Sequence, residues 1–148
     1  VHGGFDLSVS VSGDLNVDCH HTIEDTGIVL GQAFKEALKN SGPICRYGSA
    51  FIPMDEALGF AALDISNRPY LVFSCDFKAD KMGDMDTQMV EEFMRAFAFQ
   101  AGITLHLKAE YGANDHHKAE ALFKALAHSL KAAVVLKDGE TLSTKGVL

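Results

Sequence analysis

Positive charge is scarce in this sequence. Thirteen lysines and arginines face twenty aspartates and glutamates, a formal net charge of −7. So acidic a chain is a poor general partner for nucleic acid or other polyanions, which need a basic face. It leaves room only for a local phosphate pocket built from a few cations. Cysteine is sparse too. Cys19, Cys45 and Cys75 are widely spaced and give neither a zinc-type spacing nor a disulfide framework, a usage expected of a reducing, cytoplasmic setting. There is no run of 18 apolar residues, so no membrane-spanning helix is expected. No Gly-rich loop of the GxxxxGK(S/T) type occurs, which argues against a small-molecule kinase. No basic leader is visible, and the abrupt opening, VHGGFDLSVSV, suggests a further segment ahead of Val1.

What is present suits one domain of 148 residues with a proper core. Leu7, Val9 and Val11 alternate with polar residues and predict a strand from Phe5 to Ser12. Ile23, Leu30, Phe34 and Leu38 recur at helical spacing and predict a helix from His21 to Asn40, stopped by NSGP. Strands are expected at Tyr47–Ile52, Ala57–Ile65 and Tyr70–Phe77. KADKMGDMD reads as a loop. A helix follows over Thr87–Gln100, then a strand over Ile103–Ala109, then a helix from His116 to about Lys131. LKDGETLSTKGVL is a polar tail.

One phrase is written twice. DCHHTIED begins at Asp18 and NDHHKAEA at Asn114, and their HHxxE motifs stand 96 positions apart. Leu30 aligns with Leu126 and Phe34 with Leu130 at the same offset, so the two parts share a packing plan. The division expected is two repeated halves, about 1–85 and 86–148, in one domain, the first half lacking its N-terminal segment. On a helix, residues turn roughly 100° each, which sets His20 and His21 apart and Glu24 at about 40°, between them. Adjacent histidines are poorly arranged to share one ion and well placed to serve two. Four imidazoles with two carboxylates suit divalent Mn, Fe, Zn or Co, with the carboxylates tilting toward octahedral Mn or Fe. His128 has no partner at comparable spacing and reads as an ordinary histidine. His106 is ambiguous by strand alternation.

A second candidate group is cationic. Arg46 precedes a strand, Arg68 lies in the SNRPY turn, and Lys145 lies in STKG beside Ser143 and Thr144. Such a loop can offer hydroxyls, N–H groups and charge to a phosphate, although solvated surface charge is the commoner use of each residue. Asp55 in IPMDEA is either an acid/base group or a turn-forming aspartate. Lys124, two helical turns after His116, either faces the same site or lies solvated along its helix.

The phrases HGGFDLSVSVSGDLNVDCHHTIEDTGIVLGQA, RYGSAFIPMDEAL, DISNRPYL, AGITLHLKAEYGANDHHKAEALFKALA and STKGVL together resemble the imidazoleglycerol-phosphate dehydratases of histidine biosynthesis. The resemblance implies an α+β fold of duplicated half-domains, each a mixed sheet with helices on one face, the ribosomal-S5-domain-2-like sandwich. It implies a hydro-lyase that converts imidazole glycerol phosphate to imidazole acetol phosphate. Two Mn2+ per active site are implied, with a 24-subunit shell whose sites lie between subunits. His20, His21 and Glu24 would act with His116, His117 and Glu120 of a neighbour. Glu92 would stand at a further ligand position, where relatives often have histidine. Arg46, Arg68, Ser143 and Lys145 would grip the phosphate, and Asp55 and Lys124 would contact the ring or hydroxyls. A metal-bridged structural protein without catalysis is the competing reading. It would bind metal yet tolerate loss of Arg46 and Arg68.

Overall fold

The structure is a computed structural model that describes residues 1–139. The described residues form three helices and six strands: α1 (His20–Leu38), β1 (Tyr47–Met54), β2 (Ala57–Ile65), β3 (Tyr70–Ser74), β4 (Lys81–Met82), β5 (Met85–Asp86), α2 (Gln88–Ala101), β6 (Ile103–Tyr111) and α3 (Asp115–Ala133). The main sheet has the order β1-β2-β6-β3. Its first two pairings are antiparallel, and β3 joins β6 in parallel. The sheet is therefore mixed, as expected. β4 and β5 form a small separate hairpin inside the stretch expected to be a loop.

Strand alternation sorts the two faces of the sheet. Ala61, Leu63, Ile65, Ile103, Leu105 and Leu107 point inward and are buried, together with Met94, Leu122 and Leu126 from the helices. Burying a leucine or isoleucine of this kind contributes roughly 1.5–3 kcal/mol. The outer face is open and carries exposed Tyr47, Phe51, Tyr70 and Val72. The ambiguous His106 lies on that face, exposed, opposite Ala62 and Val72.

α3 sits against β1 and β2, while α2 lies over β3 and β6. Gly48 is what lets α3 come so close. A Cβ there would stand 1.9 Å from the carbonyl oxygen of Ser129. The Ser129 hydroxyl donates across the same contact to the Ala61 carbonyl at 3.2 Å. α1 packs chiefly on α2. Successive contacts of Gly27 with Phe93 and Gly31 with Phe97 show that the two helices run parallel.

The expected strand at Phe5–Ser12 is not formed. Much of this segment lines a cleft together with the first half of α1, without a backbone partner among the described residues. A strand exists only through its ladder, and the alternation of Leu7, Val9 and Val11 supplies a face but no neighbour. His20 is the first helical residue of α1 and Cys19 the cap position. No helix among the described residues is long and apolar enough to cross a membrane.

Candidate active site

The second HHxxE turn is built with unusual care. Asn114 caps α3, its Oδ1 accepting from the backbone N–H groups of His116 at 2.9 Å and His117 at 3.3 Å, a contact worth about 1 kcal/mol. Asp115 reaches back to the preceding loop, where its Oδ2 accepts from Lys78 N at 2.9 Å and Ala79 N at 2.8 Å. Its Oδ1 pairs with Lys118 Nζ at 2.6 Å. Lys118 is buried, donates to the Asp76 carbonyl and lies 5.5 Å over the Phe77 ring. Burial works against the Asp115 charge, but the Lys118 and backbone donors outweigh it and hold the carboxyl below its usual range.

The β1–β2 hairpin closes onto this turn. Met54 pairs with Ala57, leaving a two-residue connection whose first member, Asp55, has φ 48°. That left-handed conformation is sparsely populated for a non-glycine residue. It presents two carboxylates to α3. Glu56 Oε1 accepts from Ala113 N at 3.0 Å and Asn114 N at 2.7 Å. Glu56 Oε2 lies 2.7 Å from His117 Nδ1, while Asp55 Oδ2 lies 3.6 Å from His117 Nε2. The His117 bond, with the backbone donors, lowers Glu56 to about 2, and Glu56 in turn raises His117. On the same helix Glu120 pairs with Lys124 Nζ at 2.6 Å, which lowers the glutamate. Lys124 also reaches Met54 Sδ at 3.3 Å. Asp55, His116, His117, Glu120 and Lys124 are thus brought together, with Glu56 added.

In both turns the carboxylate pairs with the first histidine. Glu24 Oε2 lies 3.6 Å from His20 Nε2, and Glu120 Oε2 lies 3.5 Å from His116 Nε2. The i,i+4 spacing favours this partner, so the glutamate does not stand evenly between the two histidines. The second ring diverges, with centroids 6.0 Å apart for His20–His21 and 6.4 Å for His116–His117. Donors held roughly 2.1 Å from an octahedral ion stand about 3 Å apart. Each His–Glu pair therefore fits one side of a divalent ion after a small rotation, and the diverging ring fits another. No cluster of three or more metal-ligating side chains occurs among the described residues.

The remaining predicted residues lie elsewhere. Glu92 is on α2 and pairs with Arg95. Arg46 is at φ 72° and forms a two-pronged pair with Asp64, Nε to Oδ1 at 2.6 Å and Nη2 to Oδ2 at 3.0 Å. That hydrogen bonding raises its already high pKa. Arg68 is in the β2–β3 turn, where its carbonyl accepts from Thr104 Oγ1 at 2.8 Å. Ser143 and Lys145 lie outside the described residues. Arg46 and Arg68 stand at one end of the β1–β2 hairpin and the Asp55–Glu56 turn at the other. β2 has nine residues, which at about 3.4 Å per residue separates the two groups by about 27 Å. Glu56, Asp64, Asp115 and Lys118 carried no sequence signal. The Glu56 partner is 61 residues away and that of Asp64 is 18.

The family described as imidazoleglycerol-phosphate dehydratase matches residues 1–130. Among curated relatives of that name, the protein of Clostridium novyi (strain NT) is 56% identical over 149 residues, covering 99% of this chain and 76% of that protein. The protein of Acetivibrio thermocellus is 58% identical, with the same coverage. Among solved structures, the dehydratase of Pyrococcus furiosus in complex with (S)-C348 superposes with a TM-score of 0.80 at 38% identity, over 93% of this chain and 74% of that one. The dehydratase of Staphylococcus aureus superposes with a TM-score of 0.78 at 44% identity, over 80% and 69%.

Proposed function

The chain belongs to the imidazoleglycerol-phosphate dehydratase family, and on that premise we propose how its residues divide the work. It is a hydro-lyase of histidine biosynthesis that removes water from imidazole glycerol phosphate to give imidazole acetol phosphate. Its catalysis depends on metal. The proposed form is two Mn2+ per active site, held by His20, His21 and Glu24 together with His116, His117 and Glu120 of a neighbouring copy, with Glu92 as a further ligand. When bound, the ions supply Lewis acidity and a template for the substrate's imidazole.

The observation that carries this assignment is the matched His–Glu spacing of the two turns, 3.6 and 3.5 Å. The chain's own residues do the rest. Arg68, with Arg46, Ser143 and Lys145, holds the phosphate and so orients the reacting end. Asp64 partly offsets the Arg46 charge and fixes the plane of its guanidinium, so Arg68 carries more of the anion's attraction. Asp55 and Lys124 flank the turn that carries His117 and Glu120 and contact the ring or hydroxyls, where they hold or move protons.

The roughly 27 Å between the two groups supports sites shared between copies, since a small phosphorylated imidazole is far shorter. A 24-subunit shell in the cytoplasm is the proposed setting. We also place the whole chain, 1–148, in one catalytic domain made of two related parts. β2 and β3 flank β6, and β1 joins the sheet through β2, which supports placing the boundary between the parts near residue 43. Native mass spectrometry with metal analysis tests the reading. About two Mn2+ per chain with growth into a large shell is expected on adding Mn2+ to stripped protein; no uptake and no growth would refute it.

A further inference from the structure

The two nitrogens of His117 meet very different surroundings. Nδ1 lies 2.7 Å from Glu56 Oε2. Nε2 has its carboxylate neighbour, Asp55 Oδ2, at 3.6 Å, beyond a hydrogen bond and close to the spacing of the His–Glu pairs in the two HHxxE turns. A carboxylate only accepts, so the proton of the short contact sits on Nδ1. In the neutral ring that leaves the lone pair on Nε2. The other oxygen of Glu56 is committed as well, accepting the N–H groups of Ala113 and Asn114 just before α3 begins. One side chain thus ties the β1–β2 hairpin to the helix N-terminus and selects a tautomer.

We propose that Glu56 is a positioning residue, which fixes His117 in the Nδ1–H tautomer and so readies Nε2 as a metal ligand. The inference rests on the reading of His117 as a ligand. Its physical basis is general. The partner of the non-ligating nitrogen sets the orientation and basicity of the ligating one, and its loss typically weakens metal binding about 10–100-fold.

The geometry makes an unusual demand on substitutions. In Glu56→Gln the amide oxygen must stay with the two backbone donors, because an NH2 group cannot accept from them. The NH2 group then faces Nδ1, which has to accept, and the ring proton moves to Nε2. Glutamine therefore keeps the backbone tie and inverts the tautomer. Glu56→Ala removes the tie but leaves the tautomer free, with water as partner. A residue that only supported the fold would show alanine as the more harmful change in every measurement.

The experiment measures Mn2+ affinity of the stripped full chain by calorimetry, melting temperature, and the ring 15N shifts of labelled histidines without metal at mildly alkaline pH. Glu56→Gln is expected to lose about 10–100-fold in Mn2+ affinity while melting close to the parent. Glu56→Ala is expected to melt lower yet bind Mn2+ better than Glu56→Gln. The His117 signals should show protonated Nδ1 in the parent and protonated Nε2 in Glu56→Gln. Parent-like affinity in Glu56→Gln, or a greater affinity loss in Glu56→Ala, would overturn the inference. Should the parent itself bind no Mn2+, the ligand reading fails, and the 15N shifts alone decide the tautomer. Identical shifts in parent and Glu56→Gln would sink that part too.

Discussion

Lys118→Met tests how firmly the second HHxxE turn is anchored. Lysine is rarely buried unless paired, and Lys118 is only 4% exposed. Its ammonium joins Asp115 and the Asp76 carbonyl and lies over Phe77. Methionine fills similar volume without the charge. Removing one partner of a buried ion pair costs about 3–5 kcal/mol, because the other charge is left uncompensated. Asp115 would keep its two bonds from Lys78 and Ala79, which places the expected loss near the lower end, about 3 kcal/mol. With a urea m-value of about 2 kcal/mol per M, the unfolding midpoint should fall by about 1.5 M at fixed protein concentration, with the slope unchanged. Adding Asp115→Asn removes the stranded charge and should recover about 1–2 kcal/mol of that loss. The reasoning fails if Lys118→Met lies within about 1 kcal/mol of the parent, or if the double variant is no more stable than the single one.

Two further expectations concern packing and pH. Gly48→Ala would place a Cβ 1.9 Å from Ser129 O; since backbone cannot yield as a side chain does, the cost should reach about 3 kcal/mol, seen as a fall in melting temperature of about 10 °C. A fall of only a degree or two would show that α3 can shift without cost. The Glu56–His117 contact should also impose a pH window on metal-free stability. Glu56 is lowered from 4.5 to about 2, so its share is complete above about 4.5 and is lost as pH falls toward 2. His117 is raised from 6.5, so its share is complete below 6.5 and is lost as pH rises through the raised value. The melting gap between parent and Glu56→Ala should be widest between these limits; a gap that does not change with pH would refute the pairing.

Much of this architecture is written in the sequence, and what is missing has physical reasons. Helix limits follow from apolar spacing to within two residues at most ends, because α2 and α3 each bury one stripe. The repeat is legible at an offset of 96, yet identical patterns have different fates. Leu7, Val9 and Val11 correspond by that offset to Ile103, Leu105 and Leu107. The first three are 62%, 60% and 52% exposed, and the second three are at most 1% exposed. Alternation encodes which residues share a face, and whether that face is covered depends on neighbours the pattern does not contain. The site divides in the same way. HHxxE is local and can be read, whereas Glu56 meets His117 only because a hairpin turn folds over α3.

The two turns also differ in support, and this bears on how a complete site arises. α3 begins with the Asn114 cap, the Asp115–Lys118 pair and Glu56, while among the described residues α1 has no side-chain cap at Cys19 and a contact of Asp18 Oδ1 with His20 N at 2.8 Å. Matched ligands on unequally braced turns, with the Arg68 end of the sheet roughly 27 Å from the Asp55 end, support the proposal that a site draws on more than one copy. The consequence is complementation. Arg68→Ala and His117→Ala chains should each be nearly inactive. Mixed in equal amounts as metal-free protein and reassembled with Mn2+, they should recover roughly a quarter of parental turnover, the share of sites that draw each intact residue from a different copy. If each copy built its own complete site, mixing would restore nothing. Turnover in the mixture no higher than the mean of the two variants would therefore refute the shared site and require Arg68 and His117 of one copy to act on the same substrate.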